Sequence, residues 1–110
     1  MKWHCFLVVA VAVVLSAGCR KQDIRMARIH VPQMGSQLCV DRAVSVVRRI
    51  PGVRGDQVVA DRERRDIDVP YDSLKLSLKN IEYALAKAGF QANNIPADEK
   101  ARAALPESCR

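Results

Sequence analysis

The sequence has few of the groups that perform acid–base or nucleophilic catalysis. Its 110 residues include two histidines, His4 and His30. No nucleophile is paired with a base in a recognisable motif, and no two carboxylates form a catalytic pair. An enzyme is therefore the least expected class. Internal repeats and low-complexity segments are also absent, so the length predicts one domain at most.

Long apolar runs are absent as well. The longest covers residues 5–15, which is too short to span a bilayer comfortably and argues against a stable transmembrane helix. Lys2 precedes this run, and the small residues Ser16, Ala17 and Gly18 follow it. This arrangement is typical of a secretory signal peptide, which we predict for residues 1–18.

The end of that segment, Leu15-Ser16-Ala17-Gly18-Cys19, resembles the lipobox of bacterial lipoproteins. The resemblance implies cleavage before Cys19 and attachment of lipid to its sulfur, with residues 19–23 as a short lipidated tether. It places the mature chain on the periplasmic side of a bacterial membrane. Arg20 stands where an Asp would signal retention in the inner membrane, so an outer membrane is favoured where the host has one.

The charge balance is moderately basic. Lys and Arg number 18 against 12 Asp and Glu, a formal net charge of +6, and removal of residues 1–18 takes away only Lys2. A modest positive charge suits contact with a membrane surface or an acidic partner. Nucleic acid is not an expected partner for an exported, lipid-anchored chain.

Hydrophobic periodicity predicts six elements in the mature chain. Alternating apolar residues predict strands at 24–31, 57–60 and 66–71, and a less regular one at 90–95. Apolar positions spaced by three and four predict helices from residue 37 to Pro51-Gly52 and from Asp72 or Ser73 to Gly89. The second helix is expected to bury Leu74, Leu78, Ile81 and Leu85. Residues 97–105 could form a further short helix.

The order β-α-β-β-α-β predicts an α+β, ferredoxin-like fold. In this fold two helices cover one face of a four-stranded antiparallel sheet. We assign the domain to residues 24–95 and a C-terminal tail to residues 96–110. His30 falls on the face of the first strand opposite Ile29 and Val31, so it is expected to be an exposed sheet residue.

Several motifs resemble the heavy-metal-associated (HMA) domain of copper chaperones, metal-pumping ATPases and periplasmic mercury-scavenging proteins. The family carries Gly-Met-Thr-Cys-x-x-Cys between the first strand and first helix, where this chain has Gln33-Met34-Gly35-Ser36-Gln37-Leu38-Cys39. Ile50-Pro51-Gly52-Val53 and Ala88-Gly89-Phe90 resemble the ends of the family's two helices. The resemblance covers residues 24–95 and implies binding of a soft metal ion such as Cu(I) or Hg(II).

The chain departs from the family at the first of the two metal-binding cysteines. Ser36 replaces it, and Cys39 matches the second. Soft ions favour thiolates, and a serine hydroxyl is a hard ligand that stays protonated at neutral pH. Ser36 is instead well suited to cap the first helix by accepting an N–H bond from Leu38 or Cys39. Cys39 alone should bind a soft cation weakly unless a second sulfur is available.

Three sources of that sulfur are open. Cys109, near the end of the tail, is one, since the tail is long enough to reach Cys39. Cys39 of a second copy in a homodimer is another, and Met34 is the third. Two alternatives need no metal: Cys39 could be a small core hydrophobe, or Cys39 and Cys109 could form a structural disulfide.

The sequence thus predicts a membrane-anchored periplasmic protein that binds or relays a soft metal ion through a degenerate single-cysteine site. Cys39 is the main predicted ligand, with Cys109 and Met34 as further candidates. A metal-transport or efflux protein is the expected partner. The alternative is a non-metal ferredoxin-like interaction module that docks on a membrane partner.

Overall fold

The computed structural model describes residues 21–110. The predicted signal peptide, residues 1–18, and the predicted lipidation site, Cys19, lie outside the described residues. No helix within 21–110 has the length and apolar character needed to cross a membrane.

Alternating apolar residues form the sheet. In the described part of the chain it consists of β1 (Ile24–His30), β2 (Val59–Asp61) and β3 (Asp66–Asp72), in the order β1-β3-β2 with both pairings antiparallel. Ala27 pairs with Val69 and Ile29 with Ile67, so that these four side chains share one buried face. The opposite face carries Met26 and other exposed residues.

Two amphipathic helices cover the buried face. Helix α1 (Gln37–Arg48) buries Cys39, Val40, Ala43, Val44 and Val47, which recur at the predicted helical spacing. Helix α2 (Leu78–Lys87) contributes Ile81 and Leu85 to the same core. This arrangement confirms the predicted ferredoxin-like α+β fold.

The start of α2 differs from the prediction. It begins at Leu78, where Ser77 and Asn80 form a capping box, instead of near Asp72 or Ser73. The Asp72 carboxylate accepts the N–H of Leu74 at 3.0 Å and so belongs to a turn. Leu74 is 63% exposed as a consequence, and Leu78, the first residue of α2, is 38% exposed, so neither is buried in the core as expected.

The sheet edge next to β1 also differs in detail. Residues 90–95 lie where a fourth strand was predicted, and the N–H of Asn93 donates to the carbonyl of His30 at 2.9 Å. Asn93 has a φ of 50°, however, and Ala92 pairs with Ile95 in a tight turn. Because Asn93 has a left-handed backbone, the segment does not continue as a regular ladder beside β1. The N–H of His30 donates to the side-chain oxygen of Asn93 and not to a backbone carbonyl.

The tail packs against the domain. A short helix α3 (Glu99–Ala103) begins after Asp98, whose carboxylate accepts the N–H of Ala101. A 3₁₀ turn, Glu107–Cys109, ends the chain. Leu105 and Cys109 are both buried in the core cluster, so the tail contributes to the core that the domain itself forms.

Candidate metal centre

The loop between β1 and α1 places Cys39 at the start of a helix. Ser36 is the N-cap, and its hydroxyl accepts the N–H of Cys39 at 3.4 Å. The same hydroxyl donates to the Cys39 sulfur at 3.0 Å. Cys39 is fully buried in the first turn of α1, where free N–H groups and the helix dipole favour negative charge.

The structure brings Cys39 and Cys109 together in a disulfide. The two residues are 70 positions apart in the sequence, and their Cα atoms are 5.4 Å apart. Both are fully buried. The Ser108 hydroxyl lies 3.8 Å from each sulfur. The tail therefore places the Cys109 sulfur beside Cys39 at the start of the helix. The sequence had left this pairing as one of several alternatives for Cys39.

Met34, the third predicted ligand, lies in the same core cluster as the two cysteines. Its side chain is fully buried. The backbone N–H of Met34 donates to the carbonyl of Val31, which closes the turn between β1 and α1. Met34 therefore packs in the core beneath the loop.

His30 lies on the exposed face of the sheet, away from the buried sulfurs. Its Nδ1 is 2.9 Å from Asp66, which is its register partner on β3. Along the same face, the Nε–H of Arg28 donates to the Asp68 carboxylate at 2.9 Å, and this hydrogen bond raises the pKa of Arg28 above its ordinary value. Within residues 21–110 no group of three or more His, Cys, Asp or Glu side chains could hold a metal ion.

Two residues that the sequence patterns did not single out shape the site. Arg65, at the β2–β3 hairpin with a φ of 58°, donates from Nη1 to the carbonyl of Pro32 at 2.6 Å. Gln33 bonds to three backbone groups, one of them on Cys109. Neither contact follows a local spacing rule, so sequence periodicity could not have revealed them.

The redox state decides what the site can do chemically. In the disulfide form the described part of the chain has no free thiol and therefore no thiolate ligand. Reduction by a dithiol breaks the S–S bond and gives two cysteine thiols, while the reductant is oxidised to its own disulfide. Two thiolates that converge at one helix start are a suitable ligand pair for a soft cation.

No protein-family model matches the chain, and no curated protein matches it. Solved structures do match. Oxidized MerP from Ralstonia metallidurans CH34 is 24% identical with a TM-score of 0.60, over 64% of this chain and 96% of its own. A protein of Bacillus anthracis str. Ames, described as copper-ion-binding, is 23% identical with a TM-score of 0.60, over 66% of this chain and all of its own.

A copper-binding domain from HMA7, a P-type ATPase, is also similar. It is 23% identical with a TM-score of 0.58, over 68% of this chain and 97% of its own. At this level of identity the likeness concerns the fold, and in each case almost the whole of the similar chain is matched. The chain therefore has an HMA-like, ferredoxin-like fold.

Proposed function

We propose that this chain binds a soft metal ion, such as Cu(I) or Hg(II), through Cys39 and Cys109 when both are reduced. The observation that carries the proposal is the juxtaposition of the two sulfurs at the start of α1. The chain shares its fold with structures whose names describe copper binding. In this interpretation the ligand lost at Ser36 is replaced by one from the tail.

Chemistry supports the pair over a single thiolate. With one sulfur ligand, the rest of the coordination shell of a soft cation must come from water or harder ligands. Two sulfurs can bind the cation from opposite sides. Ser36 still contributes, because its cap keeps Cys39 in the first turn of the helix. The disulfide makes binding conditional on reduction, since a bonded sulfur cannot form a thiolate.

A competition titration tests the proposal. The full chain, kept in mild detergent, carries Cys5→Ser and Cys19→Ser in every variant, so that Cys39 and Cys109 are its remaining thiols. The reduced protein is titrated with Cu(I) against a chelator. We expect a large loss of affinity in Cys39→Ser and also in Cys109→Ser. If neither substitution alters the affinity, the proposal fails.

We also propose that the chain is anchored through lipid on Cys19 at the periplasmic side of the membrane. One feature of the fold suits this arrangement. The N–H of Asp23 donates to Asp72 at 3.1 Å, which holds the end of the tether at the start of β1. The site follows the other end of β1, about 20 Å away for seven extended residues. The site would then lie at the end of the domain away from the tether, on the side that a metal-transport or efflux partner could approach.

A homodimer joined through Cys39 of two copies requires a prior change. Cys39 is fully buried and bonded to Cys109. The disulfide must open and the tail must move before a second copy could reach the sulfur. We therefore propose Cys39 and Cys109 of the same chain as the ligand pair.

The second candidate function is a non-metal interaction module. The closed disulfide favours it, because this bond can stabilise a small domain without any metal. The same titration separates the two candidates. An interaction module whose disulfide is purely structural predicts equally weak Cu(I) binding in the reduced parent, Cys39→Ser and Cys109→Ser.

A further inference from the structure

Gln33 joins three parts of the chain through one side chain. Its Nε2 donates to the carbonyl of Gly89 at 2.8 Å and to the carbonyl of Cys109 at 2.9 Å. Its Oε1 accepts the N–H of Gln91 at 2.5 Å. The amide thus links the loop before α1, the segment after α2 and the last turn of the tail. All three hydrogen bonds are made to backbone groups.

We infer that Gln33 is the positioning residue for Cys109: it holds the tail so that the two thiols stay converged after the disulfide is reduced. The inference rests on the proposed function for its biological meaning, since a converged dithiol is what the metal requires. Its physical content is independent of metal. The two hydrogen bonds from Nε2 remain available when the S–S bond is broken.

Other contacts also dock the tail. The N–H of Asp98 donates to the carbonyl of Ala86 at 2.9 Å. Gly89, with a φ of 98°, lies so close to α3 that a Cβ there would be 2.7 Å from the N atom of Arg102. Leu105 is buried in the core. These contacts hold the tail from Asp98 to Leu105. Cys109 is itself buried in the core, and among the described side chains outside the tail it is Gln33 that hydrogen-bonds to it.

The geometry makes the link between Gln33 and the site direct. Gln33 precedes the cap residue Ser36 by three positions and therefore belongs to the same loop as the helix start. Fixing the Cys109 carbonyl to this loop limits how far the Cys109 sulfur can move from Cys39. A smaller range of motion raises the effective concentration of one thiol at the other. Effective concentration is the quantity that both disulfide formation and two-sulfur metal binding depend on.

The test measures that quantity without metal. The full chain with Cys5→Ser and Cys19→Ser is equilibrated with reduced and oxidised glutathione, quenched, alkylated and analysed by mass to obtain the effective concentration of the thiol pair. Gln33→Glu keeps an acceptor for Gln91 and loses the donor to Cys109. Gln33→Ala loses both functions. Gln37→Ala is the matched control, because the exposed Gln37 amide bonds only to Asp41 among the contacts seen.

We expect roughly a tenfold lower effective concentration in Gln33→Ala and Gln33→Glu, from the lost hydrogen bonds. The Gln37→Ala value should match that of the parent. Circular dichroism of the oxidised variants verifies that they are folded. Gln33 variants that are folded and have the parent's effective concentration would overturn the inference.

A parallel Cu(I) titration keeps this inference separable from the proposed function. If the parent binds Cu(I) no better than Cys39→Ser, the metal proposal fails, while the glutathione equilibrium still decides the role of Gln33. If both hold, Gln33→Ala should lose Cu(I) affinity by a factor similar to its loss of effective concentration.

Discussion

The Ser36 hydroxyl makes two hydrogen bonds to Cys39: it accepts the backbone N–H at 3.4 Å and donates to the sulfur at 3.0 Å. One side chain therefore fixes both the start of α1 and the environment of the sulfur. In the sequence resemblance to the HMA motif, Ser36 stands where the family carries the first of its two cysteines. A serine supplies no thiolate here, and it caps the helix start.

Removal of this cap should destabilise the fold. We expect Ser36→Ala to lower the free energy of unfolding by about 1 kcal/mol, because the first turn of α1 loses its side-chain acceptor. Urea denaturation of the oxidised protein measures the change. Ser45→Ala, in the middle of the same helix, is the control and should stay within about 0.5 kcal/mol of the parent. Equal effects of the two substitutions would show that the cap contributes nothing specific.

A cysteine at position 36 should create a local ligand pair. In the Cys109→Ser background, Ser36→Cys places two thiols three residues apart at the start of α1. We expect tighter Cu(I) binding than in Cys109→Ser alone, measured by competition with a chelator under reducing conditions. Ser45→Cys in the same background adds a thiol further along the helix and should give no comparable gain. A gain of the same size from Ser45→Cys would contradict the assignment of the helix start as the site.

The disulfide should contribute strongly to stability. Closing a loop of 70 residues corresponds to about 4 kcal/mol in the chain-entropy model. The double variant with Cys39→Ser and Cys109→Ser should therefore unfold at a much lower urea concentration than the oxidised parent. Its unfolding concentration should be close to that of the reduced parent. The comparison with the reduced parent separates the loss of the cross-link from the effect of the substitutions themselves.

Asp72 should make stability depend on pH in the acidic range. Hydrogen bonds from the backbone N–H groups of Asp23 and Leu74 hold the pKa of its carboxyl below the usual 3.8. A pKa that is lower in the folded state than in the unfolded state stabilises the fold above the unfolded value. That contribution is lost as pH falls through the folded value. Asp72→Asn cannot titrate and should show a smaller decrease in unfolding free energy between pH 7 and pH 3.

The control for Asp72 is Asp56→Asn, at an exposed position in the 3₁₀ turn Gly55–Gln57. Its pH profile should follow that of the parent. If Asp72→Asn also follows the parent, the hydrogen bonds to this carboxylate do not contribute to the acid sensitivity of the fold.

Local patterns predicted the parts of the fold in which neighbouring residues decide the structure. The alternation in β1 and the helical spacing of Val40, Ala43, Val44 and Val47 led to the observed core. The cap at Ser36 followed from the same kind of local rule. The start of α2 was misplaced because Asp72 and Ser77 are both good cap residues. The Asp72 carboxylate accepts the N–H groups of Asp23 and Leu74, whereas Ser77 forms the capping box with Asn80.

Long-range relationships could not be predicted in this way. The pairing of Cys39 with Cys109 depends on how the tail packs over α2 and the loop before α1, and three sulfur sources remained open without that packing. Residues 90–95 do not form a regular fourth strand because Asn93 has a left-handed backbone conformation. Gln33 had no signal in the sequence, since a glutamine that bonds to distant backbone groups looks like any polar loop residue.

The proposed function requires Cys39 and Cys109 to bind one soft metal ion together. X-ray absorption spectroscopy of the reduced chain with one Cu(I), in the Cys5→Ser and Cys19→Ser background, counts the sulfur ligands directly. We predict two sulfur ligands in this protein and one in its Cys109→Ser variant. The same sulfur count with and without the Cys109 thiol would contradict the claim.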